Sequence, residues 1–116
     1  MTDREKDMHI AKWLGWKNVS TRLFPCEPMG RFGNNPDKII PNFYTSNADA
    51  VTILPALVER GYWFTLQNNA DRTFSFIVGT GIWQGWELYS PTARPTISSA
   101  IVEEVIALIE KEKGDD

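Results

Sequence analysis

One short segment of the chain combines the groups that bind a phosphate. Residues 90–99, Ser-Pro-Thr-Ala-Arg-Pro-Thr-Ile-Ser-Ser, precede and open a predicted helix. Free amides at a helix N-terminus point toward an anion, and an arginine adds a two-pronged donor. We therefore expect an anion-binding site here, with Arg94 as the fork and further donors in the hydroxyls of Thr92, Thr96 and Ser98. The alternative is that a hydroxyl only caps the helix and Arg94 is solvated.

Aromatic rings supply the flat surfaces that a nucleotide base needs. Tryptophan, tyrosine and phenylalanine make up 12% of the chain, which is more than one sheet face of a small domain can bury. Stacking a base on a ring is worth ~1 to 3 kcal/mol, and tryptophan equally anchors protein interfaces. We expect such surfaces among Trp63, Trp83 and Trp86, and at Phe43 and Tyr44 beside a second helix start. Core or interface packing is the alternative for each of them.

Three further basic residues complete the candidate site. Arg72 begins the second strand of a predicted hairpin, and Arg31 and Lys38 lie in an irregular segment. Both segments can fold over a sheet edge, so we expect Arg72 to contribute to the pocket. Ordinary surface charge is the alternative for all three.

Catalytic and metal-binding groups are scarce in this sequence. Its one cysteine, Cys26, has no basic neighbour that would favour the thiolate, and its one histidine, His9, has no second histidine as a partner. The adjacent Glu103 and Glu104 indicate a solvated helix face. We therefore expect a binding protein that is not an enzyme and that holds neither a metal nor a cofactor.

Length and charge restrict the remaining classes. The 116 residues suit one domain spanning residues 1–116, and the net charge of -3 argues against duplex nucleic acid as a partner. The charged N-terminal stretch lacks the apolar region of a signal peptide, and no apolar run approaches the roughly 20 residues of a membrane span. We expect a cytoplasmic protein without membrane contact.

Helix signals bracket these candidate residues. A capping box, Thr2 to Glu5, and Gly15 predict a helix over residues 3–14, and a second helix begins at Ser46 and stops at Gly61. Pro55 should kink this second helix or delay its start. Between the two helices, residues 17–45 are rich in Pro and Gly, and we expect irregular coil with one short strand at 38–40.

Alternating apolar residues then predict strands over 62–67 and 72–78, joined as a hairpin, and a third strand over 82–89 with a bulge at Gly85. The clearest helix covers residues 95–113. The fold class is therefore α+β: an antiparallel sheet of about three strands packed with three helices, in the order α-coil-α-β-β-β-α.

Three motifs resemble the phage ABA sandwich domain family. They are Trp-Leu-Gly-Trp-Lys at 13–17, Phe-Tyr-Thr-Ser-Asn-Ala-Asp-Ala at 43–50 and Ala-Arg-Pro-Thr-Ile at 93–97. The sequence departs from the family at Pro55, and at Ala100 to Val102, where many relatives carry a basic residue.

The resemblance implies an ABA-sandwich-like fold and a phage protein acting in the infected bacterial cell. The best understood members of that family are anti-defence "sponges", oligomers that sequester the cyclic nucleotide signals of bacterial immune systems such as Thoeris and CBASS without cleaving them. It thus implies a homo-oligomer, dimeric or larger, that binds a cyclic ADP-ribose type of signal or a cyclic oligonucleotide. The alternatives are a phage-encoded protein-interaction or structural domain with no small-molecule ligand, and a small hydrolase or transferase.

Overall fold

The computed structural model describes residues 2–21, 27–80 and 93–114, which form four helices and five strands. The fold is α+β, as predicted. In chain order the elements are α1 (Asp3–Leu14), β1 (Lys17–Thr21), β2 (Pro28–Arg31), β3 (Lys38–Ile39), α2 (Asn47–Val51), α3 (Leu54–Glu59), β4 (Tyr62–Asn68), β5 (Phe74–Thr80) and α4 (Ile97–Gly114).

Helix α1 begins and ends at its predicted caps. The Thr2 hydroxyl accepts a hydrogen bond from the Glu5 amide at 3.2 Å. Gly15 adopts the left-handed conformation, with φ of 103°, that glycine tolerates without strain. This conformation lets the Trp16 amide reach the Ala11 carbonyl at 3.0 Å, so Trp16 folds back onto the last turn.

A three-stranded antiparallel sheet, β1-β2-β3, occupies much of the segment that we expected to be irregular. The expectation of coil over residues 17–45 is wrong, although the short strand predicted at 38–40 is confirmed as β3. Pro28 is tolerated because it is the first residue of its strand, where a proline disturbs a ladder least. A register shift between Lys17 and Ser20 further obscures the pattern of β1 in the sequence.

The second predicted helix is divided in two. Helix α2 ends at Val51, α3 begins at Leu54, and Pro55 lies in the first turn of α3. Proline fits there because the first amides of a helix have no intrahelical acceptor. The predicted interruption at Pro55 is confirmed, and it is the reason that the structure has one helix more than the sequence reading gave.

Strands β4 and β5 form the predicted antiparallel hairpin, paired from Tyr62 opposite Thr80 to Asn68 opposite Phe74. Their Phe64 and Phe76 rings stack at 5.7 Å between centroids. The third predicted strand, over residues 82–89, lies outside the described residues.

Helix α4 is the centre of the core. It contacts α1, α2 and β5, and its buried stripe includes Ile101, Val102 and Val105. The same core contains buried side chains from the rest of the described chain, which include Ile10, Phe43, Ile53, Leu57 and Phe76. Near its C-terminal end the Tyr62 hydroxyl donates to Glu112, and this hydrogen bond raises the pKa of Tyr62 to about 12.

Gly79 lies directly under a tryptophan ring, because it pairs with Trp63 across the hairpin. A Cβ at this position would lie 2.6 Å from Cζ2 of Trp63. Crowding of this kind typically costs 1–3 kcal/mol, so Gly79→Ala should lower the free energy of unfolding by about 2 kcal/mol in urea denaturation.

A double-mutant cycle with Trp63→Leu provides the control. Without the indole ring, Gly79→Ala should cost much less, and strictly additive effects would contradict this explanation.

Candidate functional site

The N-terminus of α4 is closed by a reciprocal cap. The Thr96 hydroxyl accepts from the Ser99 amide at 3.1 Å, and the Ser99 hydroxyl accepts from the Thr96 amide at 3.3 Å. The Ser98 amide donates to Oδ1 of Asn47, at the start of α2, at 2.9 Å. The expectation of free amides is therefore wrong for Ser98 and Ser99, because protein oxygens already accept from both.

Of the predicted hydroxyl donors, Thr96 is part of this cap and Ser98 lies beside it. The Ser98 side chain is fully buried, with its hydroxyl 3.2 Å from that of Thr96. Thr96 is exposed but serves as the cap. The alternative prediction, in which a hydroxyl caps the helix, therefore describes the N-terminus of α4.

Arg94 is held by its backbone and presents its side chain beside α4. Its amide and carbonyl pair with the carbonyl and amide of Phe74 at 2.8 and 2.7 Å, which forms an isolated antiparallel bridge at the start of β5. Nη2 lies 3.8 Å from Oε2 of Glu103, and the side chain is 33% exposed. Nε is buried and has no hydrogen-bond partner among the described residues. The Arg94 guanidinium therefore retains one N–H donor, at Nε, that no described residue accepts from.

Glu103 brings residues from both ends of the chain together. The Lys6 ammonium, on α1, donates to its Oε1, and Lys6 Nζ lies 4.3 Å from the centroid of the Tyr44 ring. A side-chain hydrogen bond from Tyr44 also acts to lower the pKa of Glu103. We call Lys6, Tyr44, Arg94 and Glu103 the Glu103 cluster.

The charges of the cluster fix its ionisation. Burial acts to raise the pKa of Glu103, but the Lys6 ammonium and the Arg94 guanidinium outweigh it and hold that pKa below its ordinary value. The hydrogen bond to Glu103 raises the pKa of Lys6. Near neutral pH the cluster therefore carries two cations and one carboxylate, so it keeps an excess positive charge beside an aromatic ring.

A second charged group fastens Tyr44 in place. The Asp7 carboxylate, 1% exposed, accepts from the Tyr44 amide at 2.8 Å and from Nη1 of Arg4 at 2.7 Å. Arg4 also donates to the carbonyls of Ile40 and Pro41 at 2.9 and 3.1 Å. Burial raises the pKa of Asp7 although both donors act to lower it. These bonds tie the chain entering α2 to α1.

Sequence reasoning missed several of these residues. Lys6 and Asp7 lie in a charged stretch whose residues all look alike in the sequence. The expectation that Glu103 is solvated is wrong, because its side chain is 20% exposed and forms an ion pair with Lys6. One signal was present for Asp7, which lies on the same helical stripe as the buried Ile10 and Ala11.

The other predicted site residues are separate from the cluster or fall outside the described residues. Phe43 is 1% exposed and belongs to the core, which removes it from any stacking surface. Arg72 is exposed in the β4–β5 loop, with a left-handed φ of 67°. Thr92, Trp83 and Trp86 lie outside the residues that the structure describes.

Comparison of the chain with protein-family models, with curated proteins and with solved structures finds no match. Over residues 2–21, 27–80 and 93–114, no group of three or more His, Cys, Asp or Glu side chains is placed to hold a metal ion. In the same ranges, none of the helices combines the length and apolar character needed to cross a bilayer.

Proposed function

We propose that this protein captures a small anionic nucleotide at the Glu103 cluster and does not cleave it. The observation that supports the proposal is a convergence. Tyr44 and Arg94 are predicted separately, as a base platform and as a phosphate fork, and both act on the same Glu103 carboxylate. The two residues lie 50 positions apart in the sequence, and their common interaction with Glu103 supports the proposal.

The cluster offers each part of a nucleotide a matching group. In the proposed complex, phosphate oxygens accept from the Lys6 ammonium and from the guanidinium of Arg94, whose side chain is 33% exposed, and bonds to charged donors are the strong ones. The half-buried Tyr44 ring lies beside Lys6 and can stack on a base. Glu103 acts as an internal counter-ion that the incoming phosphate displaces.

The ionisation of the cluster favours capture over turnover. A general acid or base works best when its pKa lies near the working pH. Glu103 is shifted down and Lys6 is shifted up, so each stays in its charged form at neutral pH. Fixed charges of this kind hold a ligand but exchange no protons with it.

The resemblance to the phage ABA sandwich domain family directs the choice of ligand. It favours a cyclic ADP-ribose type of signal or a cyclic oligonucleotide, sequestered by a homo-oligomeric anti-defence protein in the cytoplasm of an infected bacterium. This biological setting is part of the proposal.

Calorimetric titration with a panel of cyclic nucleotides tests the site. Arg94→Gln and Lys6→Gln should each weaken binding about tenfold or more, since a hydrogen bond to a charged group contributes about 1.5–3 kcal/mol. Glu103→Gln should strengthen binding, because it removes the competing carboxylate.

The matched control is Lys12→Gln, an exposed lysine on the same helix as Lys6, which should bind normally. Recovery of the ligand at its intact mass would separate capture from hydrolysis. Absence of binding across the panel, or equal losses for Lys12→Gln and Lys6→Gln, would contradict the proposal.

A further inference from the structure

The β1-β2-β3 sheet exposes a basic and apolar surface at a distance in sequence from the Glu103 cluster. Lys17 pairs with Arg31, and Met29 pairs with Ile39. Directly paired residues share a face, and so do residues two apart on a strand. These four side chains therefore lie on one face, which we call the outer face. Lys17 and Arg31 are exposed, and Ile39 is 50% exposed.

The two cations on this face lie directly opposite each other. Elsewhere, Arg4, Lys6 and Arg94 each lie against a carboxylate. Lys17 and Arg31 form no ion pair with any residue in the described ranges. Like charges directly opposite each other on neighbouring strands destabilise a sheet. An anion placed between them would relieve that repulsion.

The opposite face of this sheet differs, because the Trp16 ring covers it. Lys38 pairs with Gly30 and therefore lies on that opposite face, with its ammonium 5.5 Å from the centroid of the Trp16 ring. The Phe32 ring lies near the same tryptophan, at 5.8 Å between centroids. The outer face thus combines the two cations with the apolar side chains of Met29 and Ile39.

We infer that the outer face docks an extended acidic segment of a partner protein, in which a carboxylate and an aliphatic side chain lie two residues apart. This spacing matches Arg31 and Met29 along β2. The carboxylates meet Lys17 and Arg31, and the aliphatic side chain packs on Met29 and Ile39. Charge complementarity selects the partner, and the apolar contact supplies affinity that charge alone does not.

A protein segment fits this face better than a nucleic acid strand does. The chain carries a net charge of -3, which repels a long polyanion but opposes a short acidic peptide much less. Single-stranded nucleic acid is held by stacking on aromatic rings, whereas the apolar residues of the outer face are Met29 and Ile39.

Fluorescence anisotropy with a labelled peptide tests the inference directly. The probe has the order Gly-Glu-Ser-Leu-Ser-Glu-Gly, and a second peptide replaces its leucine with serine at equal charge. The leucine peptide should bind more tightly, and added salt should weaken it. The double variant Lys17→Ser/Arg31→Ser should bind it about fivefold more weakly or worse, as expected for two rim charges.

The double variant Lys12→Ser/Lys111→Ser removes the same charge from exposed positions on α1 and α4 and should bind normally. Lys17→Glu should raise the melting temperature while it abolishes binding, because it replaces repulsion by attraction in the free protein. Equal binding of both peptides, tighter binding of an oligothymidylate, or an equal loss in the control variant would overturn the inference.

Discussion

Replacing Asp7 with alanine should lower the free energy of unfolding by about 3 kcal/mol. The Asp7 carboxylate is buried and accepts from the Arg4 guanidinium and the Tyr44 amide. Removing one partner of a buried ion pair costs roughly 3–5 kcal/mol when the other charge is left uncompensated in a closed interior. We expect the lower end of this range because the Arg4 side chain is 27% exposed and Glu27 remains 3.3 Å from its Nη2. Urea denaturation followed by tryptophan fluorescence measures the effect.

Two further variants separate the causes of that loss. Asp7→Asn keeps an oxygen for the Tyr44 amide, so it should cost less than Asp7→Ala does. Asp3→Ala removes an exposed carboxylate from the same helix and should change stability by well under half as much. If Asp3→Ala and Asp7→Ala lowered the free energy of unfolding equally, the hydrogen bond and ion pair of Asp7 would not be what stabilises this region.

The pH dependence of stability should carry the signature of the same carboxyl group. Burial raises the pKa of Asp7 in the folded protein, whereas in the unfolded chain it is about 3.9. The folded state therefore binds the proton more tightly, and the contribution of Asp7 to stability is largest below that pH and declines as pH rises through the folded pKa. The unfolding free energy of the native protein, measured relative to that of Asp7→Asn, should decrease over that interval and then level off. An increase with pH would contradict the raised pKa.

The helices and the hairpin were predictable because each follows from local signals. Thr2 caps the start of α1 and Gly15 caps its end. The alternating apolar residues of β4 and β5 mark one apolar face of the hairpin. The β1-β2-β3 sheet was not predictable for the opposite reason. Its strands have two to five residues, contain Pro28 and Gly30, and pair across a register shift. So short a strand is fixed by its partner strands, which periodicity within one segment does not reveal.

Part of the Glu103 cluster was also accessible from the sequence, and the rest depended on distant contacts. Arg94 and Tyr44 were selected by residue type and by the helix starts beside them. Lys6 and Glu103 are separated by 97 positions, and no local pattern announces their pairing. The same holds for the α4 amides, since the Ser98 amide is satisfied by Asn47, 51 positions earlier. A helix start predicts free donors, but only the tertiary fold decides whether another side chain takes them.

Phe43 and Tyr44 are adjacent in the sequence and should respond to mutation in opposite ways. Phe43 is 1% exposed within the core, so Phe43→Ala should lower the free energy of unfolding by about 4 kcal/mol through lost burial and the cavity left behind. Tyr44 is half-buried beside Lys6, and Tyr44→Ala should cost about 1 kcal/mol, comparable to a partly exposed cation–π contact.

Ligand binding should show the reverse order, and this reversal separates a core residue from a contact residue. Under conditions where both variants remain folded, Tyr44→Ala should weaken capture of a cyclic nucleotide about tenfold, in keeping with the ~1 to 3 kcal/mol of a stacked base. Phe43→Leu, which retains apolar volume at the buried position, should bind as the native protein does. Denaturation and calorimetry on the same two variants measure both quantities. If Phe43→Leu lost binding while keeping its stability, the buried ring would be part of the ligand site, and the opposite assignment of these two neighbours would be wrong.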